Sequence, residues 1–214
     1  MEQLTSTLLH VFYWFTVQSF GLSIFRLKIN RFKTHIILSS IILSQVSLLL
    51  QTFKLIYLLS ILQPLCFLLC VYLIYRLNIW HSLLFVSISF GANVLLESAL
   101  NLVLASFDYE KFITIIRNDY LLQGYFLCFV NIILSLILQK YRIGFTFINS
   151  KNSNTKYSKL SIKFYIFLFL GALLLYITSF TLIFYDKLVL LVLSVSFLIF
   201  LYLIHMSYEK EMKE

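Results

Sequence analysis

Charge is scarce in this chain, and so are proline and glycine. Only 12% of the 214 residues are charged, with one proline and five glycines among them. A soluble domain carries about 25% charged residues, so a globule covered by water is excluded. The lack of turn formers argues against a loop-rich barrel, and unbroken apolar runs near 20 residues argue for helices in lipid. Cysteine is sparse as well. Cys66, Cys70 and Cys128 all lie within apolar runs and outline no disulfide framework. No phosphate-binding glycine loop, dinucleotide fingerprint, G-x-S-x-G elbow, H-x-x-x-H or H-E-x-x-H pair occurs. The expectation is a non-enzyme with no cofactor and no metal.

What the chain does hold is apolar surface: 61% hydrophobic residues, 18% aromatic, and a mean hydropathy of +0.92. The net charge of +8 does not indicate nucleic-acid binding, because the bases collect in short loops beside apolar segments, which is how membrane orientation is encoded. The first apolar segment spans about Leu4 to Phe25. Glu2 precedes it, no Lys or Arg does, and no small-residue cleavage site follows, so it does not read as a cleaved signal peptide. A basic cluster (Arg26, Lys28, Arg31, Lys33) comes after it. Segments two (His35 to about Leu50) and three (about Leu55 to Tyr75) are divided only by Gln51 to Lys54, so one long bent helix is the alternative there. Pro64 is expected to kink segment three. Segment four follows from Trp80, and segment five spans Tyr120 to Gln139.

Between them, Phe112, Ile113 and Ile116 share one face of a short interfacial helix. Residues 140–163 hold six bases and no acid and read as a cytoplasmic linker. Segments six (Phe164 to Tyr185) and seven (Leu188 to Met206) form a hairpin. Thirteen Lys and Arg then fall on one side and four on the other. The fold class is therefore all-α: a polytopic transmembrane bundle of seven helices (six as the alternative count), N-terminus outside and C-terminus in the cytoplasm of a plasma membrane. Its domains are a sensor-sized unit over residues 1–206 and an exit helix beginning at 207. The larger unit comprises five helices over residues 1–139, the linker, and the hairpin 164–206. Glu209 with Lys213 and Lys210 with Glu214 are i,i+4 pairs that extend segment seven beyond its apolar run.

The informative stretch is Trp80 to Phe107. Asn93, Glu97 and Asn101 recur at i, i+4 and i+8 and so share a helical face. Glu97 is the only acid inside any apolar segment. A charged carboxylate near mid-bilayer costs roughly 3 kcal/mol, so it must face protein, face water or carry a proton. Two readings stand side by side. The three residues line a ligand-binding pocket that opens outward, or they are interhelical glue bonded to partners such as Gln45 or Asn131, at about 1 kcal/mol each.

The four histidines, His10, His35, His81 and His205, lie at or near the ends of different segments and read as interfacial. His205 lacks the acidic sequence neighbour that a phosphoacceptor would use as a base. Cys66 and Cys70 share a face of segment three, and with His81 they outline a membrane cysteine peptidase only weakly. Small buried apolar groups are the simpler reading.

The layout, with YRLNIWHSLLFV (Tyr75 to Val86) and the exit HMSYEKEMKE (His205 to Glu214), resembles the receptor histidine kinases of peptide quorum sensing, the accessory gene regulator type. The resemblance implies a membrane sensor half that binds an extracellular peptide pheromone and works as a homodimer. It would signal through its last helix to a histidine kinase module, absent from this chain, and from there to a response regulator. No binding residue carries over by motif; Asn93, Glu97 and Asn101 are assigned from the residues alone. The alternative is a small-solute permease or the substrate-binding membrane subunit of an importer, with a membrane peptidase as a third reading.

Overall fold

A computed structural model of the chain describes residues 2–53, 56–118, 120–146, 169 and 189–213. Every regular element among the described residues is helical: α1 Glu2–Ile24, α2 Ile29–Thr52, α3 Ile56–Leu73, α4 Ile79–Leu104, α5 Tyr109–Asn118, α6 Tyr120–Tyr141 and α7 Val189–Lys213. The expected linker beyond residue 146 and the sixth segment, apart from Phe169, lie outside the described residues.

Four of these helices supply stretches long and apolar enough to cross a membrane: Ile29–Thr52, Ile79–Leu104, Gln123–Tyr141 and Leu191–Glu209. One of them, α2, buries small polar residues and exposes large apolar ones, the inverse of a soluble protein. On α2 the buried side chains include Ser39, Ser40, Ser44 and Ser47, while Ile37, Leu38, Ile41, Ile42 and Leu49 are exposed. Water would penalise that exposed face at about 25 cal/mol per Å²; hydrocarbon does not, and small polar residues then serve the helix contacts.

α2 begins six residues before the expected His35. Arg31 and Lys33 lie exposed in its opening turns, since long basic side chains are good helix formers and can extend towards water. α2 and α3 are separate helices packed against each other, and α3 runs through Pro64 as one element. α4 stops at Leu104, three residues before the expected Phe107. There Phe107 N–H donates to Leu102 O at 3.0 Å and Ser106 N–H to Val103 O at 2.9 Å, with both residues at positive φ. That pair of bonds closes the helix and turns the chain into α5. α5 is the expected amphipathic helix: Phe112 and Ile113 are buried with Ala105, while Lys111 and Thr114 are exposed.

The centre of the bundle is α1, which packs against α2, α4 and α6. Residues 16–23 are buried without a break, so this half of the helix has no lipid-facing side. That enclosure suits its polar content, Thr16, Gln18, Ser19 and Ser23. Gly21 permits the closest approach: a Cβ there would lie 2.7 Å from Ser89 Cβ and 2.9 Å from Phe85 Cζ of α4.

The C-terminal ends of α1, α3 and α6 gather with the starts of α2 and α4, bringing Arg26, Lys28, Arg76, Lys140 and Arg142 to one end of the bundle. Phe145 N–H donates to Ile24 O at 2.8 Å there, and Phe25 lies between Phe85 and Phe145, at 5.4 and 5.9 Å between ring centroids. Gly144, at φ 138°, passes so near Ile24 O that any side chain would overlap it. α7 packs on α4. Its Leu193 joins the small cluster around Phe112, while Phe200, Ile204 and Met206 meet the main core. α7 therefore runs antiparallel to α4 and reaches Lys213 as an unbroken helix at the basic end.

Candidate functional site

Of the four apolar stretches, the one on α4 is the most enclosed: 56% of it is buried, against 17% for that on α7. The Asn93, Glu97 and Asn101 face turns into the protein towards α1 and α6, where the first residue bonds across helices and the other two border a small cavity.

Asn93 is glue. It is fully buried, its Nδ2 donates to Tyr13 Oη at 2.7 Å, and its Oδ1 accepts from Asn131 Nδ2 at 2.7 Å. One side chain thus ties α4 to both α1 and α6. Asn131 is the expected partner, whereas Gln45 is exposed on α2 and takes no part.

Glu97 and Asn101 instead border a cavity. Its lining is Tyr13 from α1, Glu97, Leu100 and Asn101 from α4, and Gln123, Gly124 and Leu127 from α6; its volume, about 10 Å³, is room for one water. The cavity lies in the half of the bundle away from the basic end, with Glu97 about 27 Å along α4 from Ile79 at 1.5 Å per residue. Glu97 makes no hydrogen bond or ion pair with any described residue. Asn101 is only 3% exposed, and its Oδ1 has no hydrogen-bond partner among the described residues. Gln123 donates from Nε2 to Ile115 O at 3.1 Å, which ties this wall to α5. Gly124 lets α6 close on α1: a Cβ would meet Leu9 Cδ2 at 3.1 Å.

Tyr13 and Gln123 were absent from the residues singled out by sequence. Spacing along one helix shows which residues share a face, but not which helix that face meets. A second polar seam was also missed, although its signal was present. Ser40, Ser44 and Ser47 stand at i, i+4 and i+7, a small-residue helix contact. They face α1, where Gln18 Nε2 donates to Ser40 Oγ at 3.1 Å and Trp14 Nε1 to Ser47 Oγ at 3.1 Å. Gln18 Oε1 also accepts from Ser39 Oγ and, at 2.6 Å, from Tyr75 Oη, which brings α3 into the same network.

The remaining candidates stay apart. Among the described residues no three His, Cys, Asp or Glu side chains come together as metal ligands. Cys70 is buried in the main core with Cys66 packed against that core. His10 is buried in α1 rather than interfacial, with Nδ1 2.7 Å from Ser6 O. His205 does have an acidic neighbour, one helical turn away: its Nε2 is 3.4 Å from Glu209 Oε1 on the exposed side of α7. Sequence adjacency alone missed that pair.

These features define a class, an α-helical membrane bundle with its polar residues turned inward. No family model, no curated protein and no solved structure matches the chain.

Proposed function

We propose that the chain is the membrane-embedded sensor domain of a peptide-pheromone receptor of the quorum-sensing histidine kinase type, set in the plasma membrane with the basic end in the cytoplasm. The observation that carries this reading is the position of α4. One face of it borders the Glu97 and Asn101 cavity, and it packs against α7, the helix that runs unbroken to the basic end. A secreted peptide held at the non-basic end would favour one packing of α4 on α7. The displaced α7 would pass that preference to a kinase module in a homodimer. Moving such a switch from 1:99 to 99:1 takes about 5.5 kcal/mol of differential binding.

A permease or importer subunit is the second reading, favoured by the acid and amides on one wall. A cavity of about 10 Å³ encloses neither a solute nor a peptide, since solute pockets span about 300–1,000 Å³; what ranks this reading lower is α7, whose unbroken run to the basic end a permease does not need.

Trp14 offers a built-in probe, because its ring lies 5.5 Å from that of Tyr13 in the cavity wall. The chain has two tryptophans, so Trp80→Phe leaves Trp14 alone. Its emission, read in nanodiscs, should change saturably with the peptide fraction of spent culture medium. Protease treatment of that fraction should abolish the change, and Glu97→Gln combined with Asn101→Ala should weaken it. A response that survives protease, or no response from folded protein, refutes the pheromone reading.

A further inference from the structure

We infer that the cavity between α1, α4 and α6 is a binding site for a single small alkali cation of sodium's size. Three observations converge. Glu97 brings a carboxylate into the apolar part of a bundle, and among the described residues no Lys, Arg or His lines the cavity beside it. Asn101, only 3% exposed, borders the same space, and its carbonyl oxygen has no hydrogen-bond partner among the described residues. The cavity admits one body of about a water's volume.

The other lining groups fit the same chemistry. Gln123, whose Nε2 donates to Ile115 O, brings a second amide to the lining. The Tyr13 hydroxyl oxygen accepts from Asn93 Nδ2 and lies in the wall. The four polar side chains of the lining all carry an oxygen, the donor that hard cations take, and none is a thiolate or imidazole that would select a transition metal. A carboxylate in a low-dielectric interior is far more strongly attracted to a positive charge than it is in water. A cation beside Glu97 supplies that charge and satisfies Asn101 Oδ1 together. A lone water satisfies the amide but leaves Glu97 to hold a proton in place of a counter-ion.

The site joins three helices, so an occupied site should stiffen the non-basic half of the bundle. The inference does not depend on the pheromone reading; it needs only the cavity and its lining.

The test is the thermal midpoint of the protein in nanodiscs of zwitterionic lipid, which removes sodium's effect on charged headgroups. Sodium chloride is compared with choline chloride at equal ionic strength. Sodium should raise the midpoint saturably, by roughly 2–4 °C. Glu97→Gln should abolish the difference, and Asn101→Leu should shift the sodium needed upwards by about tenfold or more. Equal midpoints in sodium and choline overturn the proposal and assign the cavity to a water. A sodium effect of full size in both variants overturns it too, by placing the ion elsewhere. Should Glu97→Gln fail to fold, Asn101→Leu decides alone. Peptide-dependent Trp14 emission would be unaffected by either failure, and so the two readings fall separately.

Discussion

Gly21→Ala is the substitution whose outcome the packing specifies most closely. In an exposed helix, replacing glycine by alanine gains about 1 kcal/mol, because alanine restricts the unfolded chain and favours helix. Here the new methyl would lie 2.7 Å from Ser89 Cβ and 2.9 Å from Phe85 Cζ, whereas carbon atoms rest at about 3.5–4.0 Å. α1 and α4 must therefore part by roughly 1 Å. Neither neighbour yields easily. Ser89 Cβ is fixed to the α4 backbone, and the Phe85 ring is held against Phe25, Phe67 and Tyr75 at 5.4, 6.1 and 6.3 Å. Overpacking of this kind costs about 1–3 kcal/mol. Set against the helix gain, the net is destabilising by about 1 kcal/mol, a fall in thermal midpoint of roughly 2–4 °C for a chain of this size. Gly124→Ala is the internal control. Its Cβ meets only the flexible end of Leu9, at 3.1 Å, so it should be close to neutral. Thermal unfolding in nanodiscs, followed by circular dichroism, reads both. If Gly21→Ala matches or exceeds the parent's stability, the α1–α4 contact is not as close as described and the reasoning fails.

Two further outcomes follow from the polar seams and the charge pattern. Gln18→Leu removes the shared partner of Ser39, Ser40 and Tyr75 and should destabilise by about 1–3 kcal/mol, while Gln45→Leu, on the exposed face of α2, should change the same unfolding midpoint negligibly. In a background without native cysteines, single cysteines at the exposed Phe107 and Tyr141 should react with a membrane-impermeant maleimide from opposite sides of the membrane, Phe107 from outside intact cells. Labelling of both from one side would overturn the alternating path of α4 and α6.

Much of this architecture was legible without coordinates, because lipid solvates the outside and leaves few choices. Long apolar runs can satisfy their backbone only as helices, and basic residues such as Arg26 and Arg76 mark where those helices end. The amphipathic α5 and the extension of α7 to Lys213 followed from periodicity and i,i+4 charge pairs. Helix ends were less legible: α2 starts at Ile29 because Arg and Lys at its start extend outward, a freedom that hydropathy counts as a stop.

What the chain by itself determined, then, is the helical composition, the membrane as solvent, and the singular polar face of Asn93, Glu97 and Asn101. What only the tertiary structure decided is how that face is spent. Asn93 meets Tyr13 and Asn131, separated from it by 80 and 38 residues, while Glu97 and Asn101 are left beside a cavity. Nothing along a single helix encodes those meetings, since every apolar helix could lie against several others at similar cost in lipid. The choice falls to a few close contacts, Gly21 on Ser89 and Gly124 on Leu9, and these set α1 at the centre with its polar side chains enclosed.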